Sequence, residues 1–180
     1  MSSCHRFVIS LLVVAGLSAS PALAQGPFRD EVSSPPLLSE VAKRVVWDPT
    51  TYAPTILVYT ARQLDWNTSQ PLFRIGYFET HPGYTRSGLS PDVPVSYAEG
   101  NRRIRRQTTI LFGRSLANNA ICAGIEHALI TRAPQHRKLI RTLGWIERTA
   151  FASYWSYRLS VQHFEQWRLN QRLASEIGAK

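Results

Sequence analysis

The side chains best suited to chemistry lie at three places in the sequence. Asp65 and Glu79 stand on either side of the junction between a predicted helix and a predicted loop, and His163 lies near the C-terminus. Histidine changes its charge near neutral pH, so His163 can act as an acid, a base or a ligand. Asp65, Glu79 and His163 are therefore the candidate catalytic residues, for a hydrolase-like or a metal-dependent reaction. The structural alternative is that Asp65 pairs with Arg62, one helical turn earlier.

His163 also belongs to a row of small polar residues on the last predicted helix. Members of this row share one side of the helix, namely Thr149, Ser153, Ser156, Ser160 and His163. The row is either the wall of a polar cleft or a close contact with an earlier helix, with His163 hydrogen-bonded in the seam. The preceding helix offers small residues for such a contact at helical spacing, namely Gly113, Ala117, Ala120, Gly124 and Ala128.

Other reactive groups are present without a recognisable pattern. Glu79 and His81 form a frequent chance match to a metal-binding pair, and Glu126 and His127 are adjacent and cannot share one helical face. The sequence contains no G-x-S-x-G motif, no Gly-rich phosphate loop and no Cys-His pair at a recognisable spacing. We therefore predict no metal site and no cofactor.

Hydrophobic periodicity and helix breakers predict an all-α fold. Helix one should run from about Ala53 to Ser69 and end at Pro71. Helix two should cover about Ile104 to Thr131, and a last helical segment should extend from about Gln135 to Ile177. The prediction is a bundle of about three main helices.

Two further segments complete the predicted organisation. Residues 71–103 are rich in Gly, Pro and aromatic residues, so we expect a long ordered loop between helix one and helix two. Residues 25–47 should form a flexible lead that holds a short helix, and the helical domain should span 48–180.

The segment around Asp65 and Glu79 resembles a pattern found in small uncharacterised bacterial helical proteins, many of them membrane-embedded. In that pattern D-x-x-T ends one helix and G-x-x-E-x-N-P opens the next segment. The matching residues are Asp65, Thr68, Gly76, Glu79 and Pro82, with His81 where asparagine is expected. The resemblance implies a helical envelope or membrane protein in which Asp65, Glu79 and Pro82 share a structural or functional cluster, and it implies no particular reaction.

The N-terminus has the three parts of a secretory signal peptide. A short basic region with Arg6 precedes an apolar run at 7–17, and Ala22-Leu23-Ala24 supplies an A-x-A cleavage site. We therefore predict cleavage after Ala24 and an exported protein, periplasmic or associated with the envelope. The mature chain would keep Cys122 as its single cysteine, so no intramolecular disulfide can stabilise it.

The formal net charge is +9 at pH 7, which favours anionic partners. For an exported protein these are phospholipid headgroups or another envelope component, and nucleic acid is not expected. Charged residues are spread through helix two and the last helix, which opposes insertion into a bilayer. We expect a water-soluble or membrane-peripheral protein.

The leading functional hypothesis from the sequence is a non-enzymatic envelope protein that binds anionic lipid or an envelope partner. Its basic and aromatic binding surface would consist of Arg102, Arg103, Arg105, Arg106, Trp155 and Trp167. The alternatives are an enzyme that uses the three candidate catalytic residues and a structural subunit of an envelope complex. The sequence leaves the oligomeric state open.

Overall fold

The computed structural model describes residues 37–178, which form four α-helices. The helices are α1 (Leu37–Trp47), α2 (Ala53–Arg74), α3 (Tyr97–Arg132) and α4 (Arg137–Glu176). The all-α prediction is confirmed for this part of the chain. The predicted signal peptide, its cleavage site after Ala24 and the lead up to residue 36 lie outside the described residues.

Helix α2 continues past the proline in its last turns. The prediction that helix one ends at Pro71 is wrong, because α2 extends to Arg74. Leu72 is buried and Phe73 packs against Trp66, with 5.8 Å between the ring centres. Burial of these apolar side chains offsets the backbone hydrogen bond that a proline cannot donate.

Two local signals set the ends of the loop between α2 and α3. Gly76 has a φ of +98°, and the N–H of Tyr77 donates to the carbonyl of Leu72, as in the Schellman motif that ends many helices. At the other end, the side chain of Ser96 accepts a hydrogen bond from the N–H of Glu99, and Ser-x-x-Glu is an N-terminal helix signature. Helix α3 therefore begins about two turns before its predicted start, and the loop covers residues 75–96.

Backbone pairing between the two halves of the loop orders it. Glu79 and Asp92 exchange two N–H···O=C hydrogen bonds of 2.9 and 3.0 Å. Arg103 of α3 reaches back to the loop and donates to the carbonyl of Gly83 at 2.9 Å. These bonds hold the loop against α3 and fix the backbone position of Glu79.

An apolar cluster lies under this loop. It contains Trp66 of α2, Tyr84 and Val95 of the loop, and Ile104 of α3. Gly100 lies so close to Trp66 that a Cβ atom at residue 100 would stand 2.2 Å from the indole ring. Because the ring is rigid and buried, α2 and α3 can approach at this point only with glycine there.

A second contact region joins α1, α3 and α4 through charged side chains. Glu126 of α3 has 6% of its side chain exposed, bonds to Arg148 of α4, and lies 3.4 Å from Arg44 of α1. Arg148 also lies 2.7 Å from the carboxylate of Asp48. A Cβ atom at Gly144 would overlap the Glu126 side chain, so the α4 backbone passes directly over this carboxylate.

The polar row on α4 contacts α2 through His163. Ser160 and His163 are buried, and His163 pairs with Asp65 of α2. Around Gly113 and Gly124, a Cβ atom would meet no other atom within 4 Å among the described residues. The interpretation that His163 is hydrogen-bonded in a seam against the small residues of helix two is therefore wrong, because its partner Asp65 lies on α2.

Within residues 37–178 none of the helices combines the length and the apolar character needed to cross a bilayer.

Candidate functional site

The candidate catalytic residues Asp65 and His163 meet at the contact between α2 and α4. The Nδ1 atom of His163 lies 2.7 Å from Oδ2 of Asp65, although the two residues are 98 positions apart in the chain. Both side chains are largely buried, with 9% of His163 and 17% of Asp65 exposed. This is the arrangement by which a carboxylate orients an imidazole in many active sites.

A third residue, Asn170, holds Asp65 in place. Its Nδ2 atom donates to Oδ1 of Asp65 at 3.3 Å and to Oγ of Ser69 at 2.8 Å. Asn170 lies two turns beyond His163 on α4, and Ser69 lies one turn beyond Asp65 on α2, so the two helices run in the same direction here. Because both oxygens of Asp65 are hydrogen-bonded, the rotation of the carboxylate is fixed.

The hydrogen bond to Asp65 determines which nitrogen of a neutral His163 carries the proton. An aspartate oxygen accepts, so Nδ1 of His163 carries the hydrogen and donates it. The Nε2 atom then has a lone pair with which it can remove a proton from another group. His163 is thereby prepared to act as a base.

Glu79 approaches this pair from the loop. Its Oε1 atom accepts a hydrogen bond from the backbone N–H of His81 at 2.8 Å. Partial burial raises the pKa of the Glu79 carboxyl group, the negative charge of Asp65 raises it further, and the backbone hydrogen bond from His81 opposes the rise. A carboxyl group that keeps its proton to higher pH is suited to act as an acid.

His81 forms the exposed side of the cluster. Its ring centre lies 5.6 Å from that of His163 and 5.1 Å from that of Tyr84. Its Nδ1 atom accepts a hydrogen bond from the N–H of Gly83 at 3.0 Å, so Nε2 carries the hydrogen of the neutral ring. Desolvation lowers the pKa of His81, and the positive charges of His163 and Arg62 lower it further. His81 therefore stays neutral near pH 7 and offers an N–H donor.

Two buried polar groups beside the pair have no hydrogen-bond partner within the part of the chain that the structure describes. They are the hydroxyl of Tyr84 and the Nε and Nη1 atoms of Arg62. The Tyr84 ring lies edge-on to the His163 ring, with 6.5 Å between their centres, and Arg62 lies one turn before Asp65 on α2. An unpaired buried polar group costs about 1–3 kcal/mol, and further groups of this kind lie away from the pair, among them the hydroxyls of Ser115 and Thr149.

A surface groove begins beside Asn170 and runs between α2 and α4. It has a volume of about 610 Å³ and a mainly apolar surface, and its lining residues include Asn67, Pro71, Asn170 and Ala174. Asn170 also bonds to Asp65, so the groove and the charged pair share a residue. The reactive side chains themselves are packed beside the groove and not spread along its walls.

The remaining reactive residues do not join this site. Among the described residues, no group of three or more His, Cys, Asp or Glu side chains is placed to hold a metal ion. Glu126 is paired with arginines, and Nδ1 of His127 lies 3.2 Å from Glu40. Burial raises the pKa of the Cys122 thiol to about 12, with a further rise from Glu147, so this thiol is a poor nucleophile.

The four arginines predicted to bind anions have different environments. Arg102, Arg105 and Arg106 are exposed on α3. Arg103 is turned toward the loop, where it donates to the carbonyl of Gly83. Arg102 and Arg103 also form ion pairs with Glu99, at 3.4 and 3.1 Å.

The two tryptophans predicted for the same surface lie on α4 with other partners. Trp155 lies beneath the guanidinium group of Arg114, at 5.9 Å from the ring centre. Trp167 packs against Phe164, with 6.3 Å between the ring centres. Trp155 therefore contacts Arg114, an arginine that the predicted binding surface did not include.

Sequence reasoning missed two residues of the site. Asn170 follows His163 by seven residues and continues the polar row of α4, so the helical spacing already indicated it. Tyr84 has no comparable signal, because its position depends on how the loop folds back on α2. Comparison of the chain with protein-family models, with curated proteins and with solved structures found no match.

Proposed function

We propose that this protein is a hydrolase-type enzyme in which His163 acts as a general base. The observation that carries the proposal is the 2.7 Å contact between His163 and a fully hydrogen-bonded Asp65. Three further titratable side chains, those of Glu79, His81 and Tyr84, lie around this pair. Titratable groups with shifted pKa values gathered around one imidazole are typical of active sites.

Water is the nucleophile in the proposed reaction. The Nε2 atom of His163 removes a proton from water as the oxygen attacks the substrate, and Asp65 stabilises the imidazolium ion that forms. The protonated carboxyl group of Glu79 gives its proton to the leaving group as the substrate bond breaks. His163 then loses a proton to solvent and Glu79 regains one, so water is the only co-reactant.

The proposal predicts a dependence of kcat/KM on pH on the alkaline side. At higher pH the rate falls, because Glu79 loses the proton that it has to donate when the pH passes its raised pKa. Glu79→Gln cannot donate a proton, so it should lower the rate by about 10²-fold or more and remove the alkaline fall.

Hydrolysis of chromogenic carboxylic and phosphate esters, measured over the pH range in which His and Glu titrate, tests this prediction. The matched control is Glu165→Gln, since Glu165 is exposed on α4 only two residues from His163. This control should keep the wild-type rate and profile. A wild-type protein inactive toward every ester, or a Glu79→Gln profile that matches wild type, would count against the proposal.

A second candidate function, binding to an anionic membrane surface, is favoured by an exposed apolar row on α4. Its members share one side of the helix and are each 49–70% exposed, namely Leu139, Leu143, Ile146, Tyr154 and Tyr157. Lys138, Arg141 and Arg158 are exposed on the same helix. Aromatic and basic side chains together suit the headgroup layer, which an exported protein would meet.

Co-sedimentation with vesicles tests this second candidate. We expect binding to vesicles that contain phosphatidylglycerol, weaker binding as salt rises, and little binding to pure phosphatidylcholine. Leu143→Gln combined with Ile146→Gln should weaken binding at least about tenfold, because both side chains lose apolar burial. The control is Leu169→Gln, a residue that is 50% exposed elsewhere on α4. Equal binding to neutral vesicles, or an equal loss in the control, would rule this candidate out.

A further inference from the structure

We propose that Arg62 and the hydroxyl of Tyr84 form a subsite for a phosphate group, so that the substrate of this enzyme is a phosphate ester. The inference rests on the proposed hydrolytic function and names the chemistry of its substrate. It concerns side chains that the acid-base steps do not use.

Arg62 supplies the positive charge of the subsite. Its Nε and Nη1 atoms are buried and have no hydrogen-bond partner among residues 37–178. Asp65 lies one turn away but gives its two oxygens to His163 and Asn170. Two guanidinium nitrogens that are buried without a bonded carboxylate attract an anion, and their N–H groups match the oxygens of phosphate.

Tyr84 supplies a neutral donor. Only 4% of this residue is exposed, and its hydroxyl has no partner within the described residues. A buried tyrosine hydroxyl usually finds a hydrogen-bond partner. The Tyr84 ring stacks on Trp66 with 5.5 Å between the ring centres, and Trp66 lies one turn beyond Arg62 on α2, so the loop brings Tyr84 to the side of α2 that carries Arg62.

His81 completes the set of donors and marks the entrance. Its neutral ring carries a hydrogen on Nε2, contacts the Tyr84 ring at 5.1 Å, and is exposed to solvent. Exposed side chains change rotamer within nanoseconds, so a ligand can enter from this side. A phosphate ester offers three oxygens outside the ester bond where a carboxylate has two, which suits donors from Arg62, Tyr84 and His81.

Titration with inorganic phosphate, followed by calorimetry or by NMR shifts, tests the subsite directly. We expect saturable binding to wild type, at least tenfold weaker binding to Arg62→Gln, and several-fold weaker binding to Tyr84→Phe. Arg105→Gln is the matched control, since Arg105 is an exposed arginine on α3, and it should keep the wild-type affinity. Tyr84→Phe should not lower the Tm, because it removes a hydroxyl that makes no hydrogen bond in the fold. A lower Tm with unchanged phosphate affinity would instead assign the hydroxyl a structural role and overturn its part in the subsite.

His163→Gln separates this inference from the proposed function. This variant should bind phosphate as wild type does while being inactive toward esters. Phosphate binding that depends on Arg62, in a protein that hydrolyses no ester, would keep the subsite and remove the hydrolase proposal. Hydrolysis of carboxylic esters without any Arg62-dependent phosphate binding would keep the hydrolase proposal and remove the subsite.

A soluble phosphate ester and a lipid headgroup offer the same group to the subsite. Glycerol phosphate and vesicles that contain phosphatidic acid distinguish these two sources, since Arg62→Gln should weaken binding only of the one that enters the site. Either result supports the subsite and identifies its source. Equal losses in Arg62→Gln and Arg105→Gln, or phosphate binding that neither change affects, would overturn it.

Discussion

Asp65→Asn should lower kcat/KM for ester hydrolysis by about 10²–10⁴-fold and leave the helices folded. In wild type, Asp65 accepts hydrogen bonds from both His163 and Asn170. An asparagine has one acceptor oxygen and one NH₂ group, so its NH₂ group must face one of these two donors. When its oxygen faces Asn170, the amide donates to Nδ1 of His163. The proton of the imidazole then moves to Nε2, which can no longer accept one.

In Asp65→Asn the new NH₂ group faces another hydrogen-bond donor, and a second substitution can replace that donor with an acceptor. Adding Asn170→Asp to Asp65→Asn provides an acceptor for the new NH₂ group, so the amide oxygen can again accept from Nδ1 of His163. Restoring one hydrogen bond of about 1.4 kcal/mol should recover the rate about tenfold. Steady-state kinetics give the rates, NMR of the His163 nitrogens gives the tautomer, and Glu165→Gln serves again as the control. If Asp65→Asn kept the wild-type rate, the pair would be structural and the proposed function would fall.

The helices could be predicted because periodic apolar residues extend over several turns in each. The end of α2 was harder to predict, because Pro71 and Gly76 are both possible stop signals. Pro71 suggested an end that the burial of Leu72 and the packing of Phe73 override. Gly76 and Ser96 carry the local signals that set the actual boundaries, one by its positive φ and the other by its side-chain cap. Packing decides between such signals, and packing is not a local property of the sequence.

Only part of the candidate site could be predicted. Asp65, Glu79 and His163 were identified by their chemistry, and the first two also by a motif. The contact between Asp65 and His163 depends on α4 returning alongside α2 after 98 residues. No local rule specifies that return. Asn170 could have been predicted from its helical spacing to His163. Tyr84 could not, because it joins the site only when the loop folds back over α2.

The charged cluster around Glu126 differs from the candidate site in that its charges are neutralised by one another. Glu126 has Arg148 and Arg44 as partners, and Arg148 has Asp48 in addition. Burial lowers the pKa of Arg148, but the hydrogen bond and charge of Glu126, together with the charge of Asp48, outweigh this and raise it. These ion pairs hold α1 and α4 onto α3. We therefore expect substitutions here to change stability instead of catalysis.

Glu126→Gln and Arg148→Met should each lower the free energy of unfolding by about 3–5 kcal/mol, as expected when one partner of a buried ion pair is removed. Glu126→Gln leaves two guanidinium groups facing a neutral amide. Arg148→Met leaves the carboxylate of Glu126 with only the more distant Arg44, at 3.4 Å. Urea denaturation measures the loss, and Arg141→Met, an exposed arginine on α4, should change stability by less than about 0.5 kcal/mol.

The double variant Glu126→Gln with Arg148→Met should lose less stability than the sum of the two single variants, because each change breaks the same pair. Fully additive losses would mean that the two side chains stabilise the fold independently. Losses no larger than that of Arg141→Met would mean that apolar contacts alone hold α1 and α4 in place. Variants that stay folded should still bind phosphate as wild type does, since their changed side chains lie outside the set of donors formed by Arg62, Tyr84 and His81.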